Sequence, residues 1–347
     1  MKSDAVLIFC GGLLFGYDIG IISGAIDSIP YAKSRQQKEH LVSIVLIGQL
    51  LSSLSIGKIS TFFNSFQIIS FSLACYSICL VSFVAISRSM LSGLLLRIIL
   101  GFFISLNMIK TTSFIAETVK ESVRGFYLSL NEAGVTFGIL ISFVTSAVFG
   151  DNWKVLFVIM LPVSFVGMIS LYFKNKNFDE NRSFEEKAKK YDDIQNTKQS
   201  SPFPKYEFIL CLFLVFATQA SGQPTFLYYA KSAFPDDSTI ITFGLVKFLS
   251  TLFCSGIVDK LGRKTMLIIG CLVMTVSLLC IGLFSDSYWA DFLMKFSFGA
   301  YAFGFSISFG ACLFIVVNEL FDEYWRQRLV GYSMHTCFQN LSFIYFL

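Results

Sequence analysis

Charged side chains are scarce in this chain. Asp, Glu, Lys and Arg together make up 14% of its 347 residues, against roughly 25% in an average soluble domain. The net charge of +4 is small, and no basic stripe is interleaved with aromatic residues, which argues against nucleic-acid binding. Hydrophobic residues account for 54% and fill recurring apolar windows of about 20 residues, which predicts an all-α membrane protein with many spans.

Residues suited to enzyme chemistry are also few. Neither histidine, His40 nor His335, has acids or cysteines at metal-ligand spacing, and no H-E-x-x-H, G-x-S-x-G or phosphate-cradling G-x-x-x-x-G-K-[ST] motif is present. The cysteines fall inside apolar runs without the spacing of a zinc site or a disulfide framework. We therefore expect neither an enzyme nor a metal site or other cofactor.

One long polar interruption separates two groups of apolar segments. It covers residues 174–205, and its segment SFEEKAKKYDDI predicts a short amphipathic surface helix. Hydropathy and helix breakers predict eleven spans, at 5–26, 40–62, 67–87, 91–115, 125–149, 154–173, 206–230, 238–258, 265–285, 289–317 and 329–347. Since the sequence stops inside the last apolar run, we expect a truncated chain that lacks a twelfth span.

Loop charges predict the orientation. Most lysines and arginines between the spans fall on the side that holds the N-terminus and the polar interruption. Cytoplasmic loops carry the excess of these residues. The N-terminus is therefore expected in the cytoplasm.

A repeated charge spacing indicates two related halves. Glu117 precedes Arg124 by seven residues after the fourth span, and Glu319 precedes Arg326 by the same interval after the tenth. The repeat predicts two parallel six-helix bundles. The expected division is an N-terminal bundle over 1–173, a cytoplasmic linker over 174–205 and an incomplete C-terminal bundle over 206–347.

The first span carries a carboxylate near its middle, Asp18, within the stretch GGLLFGYDIGIISG. An ionisable group at that depth costs roughly 3 kcal/mol unless it faces a partner or a water-filled cavity. At a rise of about 1.5 Å per residue, Asp18 lies about 12 Å from the outer end of its helix and Arg97 about 9 Å from the outer end of the fourth span. The two residues are therefore able to pair, either along a solute pathway or as a structural ion pair.

Seven motifs, taken in order, resemble those of the sugar porter family of the major facilitator superfamily. They are GGLLFGYDIGIISG, RIILG, ETVKESVRG, GDNWKVLF, QASGQPTFLYY, DKLGRK and NELFDEYWR. The resemblance covers nearly the whole chain. It implies the major facilitator fold, with about eleven of twelve transmembrane helices present, and transport by alternating access.

The resemblance also implies roles for particular residues. Asp18 and Arg97 match the proton-coupling pair of the family's symporters, but facilitators in the family also keep the acid, so symport and facilitated diffusion both stay open. The candidate substrate-binding residues are Gln219, Glu132, Phe314, Phe305 and Tyr228. The candidate cytoplasmic gate, formed by acids and bases at inner helix ends that can pair in one state only, consists of Glu117, Arg124, Asp259, Arg263, Glu319 and Arg326.

Several positions depart from the family's sugar site. Glu132 replaces a glutamine, Lys247 and Pro224 replace asparagines, Thr218 replaces the first of two glutamines, and Phe314 replaces a tryptophan. Glu132 and Lys247 come from opposite halves, and we expect that they can form an ion pair across the cavity.

Two functions are compatible with these patterns. The first is transport of a hexose-like sugar or a polyol across the plasma membrane. Its expected partners are the solute, the lipid bilayer and, if transport is symport, protons. The second is a non-transporting sugar sensor or a degenerate transporter paralogue, because the amides that bind hydroxyl groups in the family are largely replaced.

Overall fold

The computed structural model describes residues 2–118, 121–150, 152–176, 204–228, 236–284 and 290–320. Within these ranges every regular element is a helix, which confirms the predicted all-α class. The α-helices are α1 (Lys2–Ala25), α2 (Arg35–Phe62), α3 (Ser65–Ile86), α4 (Met90–Thr118), α5 (Glu121–Phe149), α6 (Trp153–Val158), α7 (Leu161–Lys176), α8 (Lys205–Ala220), α9 (Gln223–Tyr228), α10 (Asp237–Leu261), α11 (Arg263–Phe284), α12 (Ala290–Phe305) and α13 (Ala311–Leu320).

Two short elements of other types complete the described part. A 3₁₀ turn, Ile26–Ser28, follows α1, and a π-helical turn, Ser306–Gly310, joins α12 to α13. Nine segments in the described ranges are long and apolar enough to cross a membrane. Large apolar side chains remain exposed on the outer faces of these helices, among them Phe71, Leu91, Leu272 and Phe296, as expected where lipid covers the protein.

The seventh expected span, 206–230, is corrected by the structure. It is two helices, α8 and α9, separated at Ser221 and Gly222. Gly222 has a φ of 80°, a left-handed conformation that costs other residues roughly 1–2 kcal/mol. The other expected spans up to 289–317 each coincide with an apolar helical segment, whereas 329–347 and the expected surface helix of the linker lie outside the described residues.

Side-chain caps fix the entry points of two spans. Ser34 Oγ accepts a hydrogen bond from the backbone N–H of Gln37 at 3.2 Å, and Gln37 Oε1 accepts one from the backbone N–H of Ser34 at 3.1 Å. Asn64 and Gln67 make the same reciprocal arrangement before α3. These capping boxes satisfy backbone donors that the first helical turn leaves unpaired, so α2 and α3 begin at defined residues.

Glycines bring α1 and α5 into backbone contact. A Cβ atom on Gly12 or Gly16 would collide with the backbone of Asn131 or Val135. The contact is reciprocal, because a Cβ on Gly138 of α5 would collide with the Leu13 carbonyl group. The glycine-rich first span therefore serves close helix packing, the usual role of small residues in membrane helices.

The two halves meet along α5 and α10. Phe137 and Phe248 lie with ring centroids 5.0 Å apart, and a Cβ on Gly244 would lie 3.3 Å from Leu140 Cα. Within the N-terminal half α2 and α3 pack on α4, and within the C-terminal half α11 packs on α12. The division into bundles at 173 and 205 stays a prediction, but the α5–α10 contact places interior side chains of both halves opposite one another.

Candidate functional site

Asp18 of α1 and Arg97 of α4 form an ion pair inside the N-terminal half. Arg97 Nη1 donates to Asp18 Oδ1 at 3.2 Å. The side chains are 0% and 3% exposed for Arg97 and Asp18, respectively. The structure thus brings together the two residues whose similar depth suggested a pair.

Aromatic rings surround the guanidinium group. Arg97 Cζ lies 5.9 Å from the centroid of the Phe157 ring, and Phe157 packs against Phe83 and Trp153. Arg97 Nε and Nη2 have no hydrogen-bond partner among the residues that the structure describes. A guanidinium group has five N–H donors, and the Asp18 carboxylate engages only part of them. The Arg97 guanidinium therefore has donors for another acceptor if the carboxylate loses its charge.

Two tyrosines lie beside this pair. Tyr17 donates its hydroxyl hydrogen to the Leu156 carbonyl oxygen at 2.7 Å, and its oxygen lies 3.2 Å from the Thr145 hydroxyl, which connects α1 to α6 and α5. Tyr76 of α3 is buried and close enough to Asp18 to interact with it electrostatically. Sequence reasoning missed both tyrosines, although Tyr17 adjoins Asp18 in the glycine-rich motif.

Glu132 of α5 and Lys247 of α10 occupy the interface between the halves. Their exposed fractions are 7% and 3%, and the two groups interact electrostatically. No nitrogen–oxygen contact within 4.0 Å joins these two described residues. Lys247 Nζ instead lies 4.6 Å from the centroid of the Phe305 ring. The ion pair expected from the sequence is therefore a separated pair, because the ammonium group packs on the ring rather than against the carboxylate.

Two buried glutamines flank the break between α8 and α9. Gln219 lies in the last turn of α8 and Gln223 begins α9, and each is 4% exposed. Tyr301 donates its hydroxyl hydrogen to the Ser221 carbonyl oxygen at 2.8 Å, which ties α12 to the break. Gln223 Nε2 has no hydrogen-bond partner within the described part of the chain. Gln219 was predicted from the sequence, whereas Gln223 was missed.

Of the remaining candidate residues, Phe305 and Arg263 have described side chains. Phe305 is buried beside Lys247 and has its ring centroid 6.2 Å from that of Phe309. Arg263 begins α11. The other candidates, whose side chains lie outside the described residues, are Phe314 in α13, Tyr228 in α9, and the gate residues Glu117, Arg124, Asp259, Glu319 and Arg326. The gate stays a prediction.

A pocket of about 230 Å³ lies between the N-terminal ends of α10 and α12, away from the charges described above. Asp236 accepts hydrogen bonds there from the hydroxyl groups of Thr239 at 2.7 Å and Ser238 at 2.8 Å, which lower the pKa of Asp236. Lys295 Nζ lies 3.9 Å from the same carboxylate. Since Asp236 is engaged in capping α10, we do not count this pocket as a functional site.

No group of three or more His, Cys, Asp and Glu side chains in the described ranges is arranged to hold a metal ion. Among the described residues the buried charged side chains are Asp18 with Arg97, Glu132 opposite Lys247, and Lys110 of α4. Ionisable groups at membrane depth are costly and typically line a path for a solute or an ion. Buried charges between helices of this kind are typical of secondary transporters.

The particular family follows from sequence comparison. The model of the family described as "Sugar (and other) transporter" matches residues 5–344, and the chain belongs to this family. The match confirms the predicted sugar porter family. Because the members are transporters, it also supports the prediction that the chain is not an enzyme.

Individual relatives agree with this assignment. The chain is 31% identical over 311 residues to "Solute carrier family 2, facilitated glucose transporter member 10" of Xenopus laevis, a match that covers 79% of this chain and 56% of the relative. It is 29% identical over 325 residues to member 12 of Homo sapiens, covering 81% of this chain and 52% of that protein. The chain therefore spans little more than half the length of these relatives.

Solved structures share the fold. The proton:xylose symporter XylE of the major facilitator superfamily, bound to 6-bromo-6-deoxy-D-glucose, superposes with a TM-score of 0.82 at 19% identity, covering 99% of this chain and 86% of that chain. A partially occluded inward-open form of XylE from E. coli gives 0.79 at 20% identity, covering 99% and 90%. The predicted major facilitator fold is confirmed.

Proposed function

We propose that this chain carries a hexose-like sugar or a polyol across the plasma membrane by alternating access, with its N-terminus in the cytoplasm. The observation that carries the proposal is the set of buried polar side chains where the halves approach each other, in a member of the sugar transporter family. Glu132 and Lys247 offer an acceptor and a donor from opposite halves, and Gln223 offers an amide with an unused donor. Hydroxyl groups of a sugar match such donors and acceptors.

Proton coupling through Asp18 and Arg97 is part of the proposal. A proton that binds the Asp18 carboxylate removes the charge that holds Arg97, and the unused guanidinium donors then turn to a new acceptor. Since α1 and α4 carry the two partners, loss of the pair changes how these helices prefer to pack, and the halves shift toward the other orientation. The name of XylE supports coupling, whereas the names of the facilitated glucose transporters support uncoupled transport.

The coupling is tested with the variant Asp18→Asn in proteoliposomes. One pH unit corresponds to about 1.4 kcal/mol, so one-to-one symport allows about tenfold accumulation of labelled D-glucose or D-xylose per unit of imposed gradient. We expect the wild-type chain to accumulate the sugar and Asp18→Asn to equilibrate it without accumulation.

The matched control is Asp27→Asn, because Asp27 is an exposed acid that forms an ion pair of 2.6 Å with Lys38, away from the buried pair. This variant should keep accumulation. Wild-type uptake that ignores the imposed gradient would refute coupling and leave facilitated diffusion of the same solute.

The second candidate function is a non-transporting sugar sensor or a degenerate paralogue. It is favoured by the replacement of neutral amides by Glu132 and Lys247, which leaves two charges where a hexose site has none. Sugar-dependent thermal stabilisation of the purified chain without any uptake would support the sensor. Uptake in a transporter-null host would exclude it.

A further inference from the structure

We infer that Glu132 and Lys247 act as a charge clamp, with one arm on each half, that admits sugars of zero net charge and rejects sugar acids and amino sugars. This inference rests on the proposed transport function and adds the residues that select the solute. The clamp is defined here as the Glu132 carboxylate, the Lys247 ammonium group and the space between them.

The arms are buried, yet their polar ends are not satisfied by the protein. Glu132 and Lys247 are both more than nine-tenths buried. Within the described ranges, neither side chain makes a hydrogen bond, and the backbone carbonyl groups of the two residues accept from the hydroxyl groups of Thr136 and Thr251. The carboxylate and the ammonium group are more than 4.0 Å apart, yet near enough to interact electrostatically. A structural ion pair would close to hydrogen-bond contact, since burial of two charges is offset only by good geometry.

Each arm has a neighbour from the C-terminal half that does not use its polar atoms. Lys247 Nζ rests on the Phe305 ring at 4.6 Å from its centroid, which holds the ammonium group without using its hydrogen-bond donors. Glu132 Oε1 lies beside Gly310 of the π-helical turn, 3.6 Å from the position that a Cβ atom would occupy. Because Gly310 has no side chain, nothing from that residue covers the carboxylate.

Charge balance decides which solutes fit. One hydroxyl group of a sugar donates to Glu132 and another accepts from Lys247, and such charge-assisted hydrogen bonds are stronger than those of neutral amides. The charges of the two arms cancel, so a neutral sugar leaves the buried set neutral. A carboxylate or ammonium group on the solute would add an unbalanced charge away from bulk water, which is strongly unfavourable.

The test compares uptake of labelled D-glucose, D-glucuronate and D-glucosamine by the full chain in proteoliposomes at neutral pH. We expect the wild type to favour glucose over either charged sugar by about tenfold or more. Glu132→Gln leaves Lys247 without its opposite charge and should raise the ratio of glucuronate uptake to glucose uptake about tenfold. Lys247→Gln leaves Glu132 without its opposite charge and should raise the ratio of glucosamine uptake to glucose uptake by a similar factor. The double variant Glu132→Gln/Lys247→Gln is neutral again and should return to the wild-type preference for glucose, but with a higher KM for glucose, because hydrogen bonds to charged groups are stronger than those to neutral amides.

Matched controls come from a surface ion pair. Asp27→Asn and Lys38→Gln remove one charge each from the exposed pair of 2.6 Å, and neither should change the ratios. If glucose is taken up but the two single variants do not shift selectivity toward opposite charges, the clamp is overturned and the proposed transport function stands. An absence of uptake of all three sugars by the wild type would instead refute the proposed function.

Poor folding of the single variants would not remove the test. The wild type and the electrically neutral double variant then decide it. A wild type that accepts glucuronate or glucosamine as readily as glucose overturns the clamp, and so does a double variant whose KM for glucose equals that of the wild type.

Discussion

At the scale of single residues, the close approach of α1 and α5 depends on missing Cβ atoms. Gly12 and Gly16 lie one helical turn apart on α1 and both face the backbone of α5. The same contact places Tyr17 and Asp18 at fixed positions beside α5, α6 and α4. Glycine at these positions therefore determines where the buried carboxylate sits.

The variant Gly16→Ala tests this dependence. Its added methyl group would meet the Val135 carbonyl group, and overpacking of this kind typically costs about 1–3 kcal/mol. We expect a lower temperature of thermal unfolding in detergent. Gly57→Ala is the control, because no atom lies within 4 Å of a Cβ at that position and alanine favours helix. Equal melting temperatures for the two variants would contradict the packing role.

Residue patterns predicted part of this arrangement. Counting residues from helix ends suggested the Asp18–Arg97 pair, because depth in a bilayer follows directly from position in a span. The hydrogen bond from Tyr17 to Leu156 had no comparable signal. It depends on which face of α1 meets α6, and rotation about the helix axis is set by packing between helices rather than by the hydropathy of either one.

At the scale of elements, the break between α8 and α9 is the main departure from regular spans. It places Gln219 and Gln223 on either side of a left-handed Gly222, and Tyr301 holds it from α12. Interrupted helices with polar groups at the break are a common way for transporters to present binding groups within the membrane. The break thus gives the C-terminal half two amides near the interface.

Gly222→Ala should disturb this break. A residue with a side chain is strained at a φ of 80°, by roughly 1–2 kcal/mol, and relief of the strain would move Gln223. We expect a KM for sugar uptake raised several-fold with a smaller effect on the amount of folded protein. Gly282→Ala in α11 is the control, since nothing lies within 4 Å of its Cβ position. A KM equal to that of the control would rule out a role for the break in binding.

Hydropathy could not have predicted the break. A window average over 206–230 remains apolar, because Ser221, Gly222 and Gln223 are diluted by the surrounding Phe, Leu and Ala residues. The other spans were predicted well for the same reason, since length and mean apolarity are what the bilayer requires. Backbone conformation at one glycine is a local property that such averages do not contain.

At the scale of the whole molecule, the sequence repeat predicted two halves but not how they meet. The α5–α10 contact, with Phe137 against Phe248 and Gly244 against Leu140, brings Glu132 and Lys247 to the same interface. A contact between residues so far apart in sequence follows from the fold. It could be expected only because the family resemblance implied the major facilitator architecture. To predict that the two charges stay apart, one would also have needed to know where the Phe305 ring lies.

In the proposed coupling, the orientation of the molecule decides from which side of the membrane a proton reaches Asp18. Lys33 precedes α2 and Phe63 follows it, and both residues are exposed. With the N-terminus in the cytoplasm, Lys33 is outside and Phe63 inside, as the excess of loop lysine and arginine on the linker side requires. We expect a membrane-impermeant maleimide to label Lys33→Cys on intact cells and Phe63→Cys only after permeabilisation, once the labelling of the wild-type chain has been subtracted. The opposite pattern would invert the topology, and protons entering from outside would then approach Asp18 from the other end of α1.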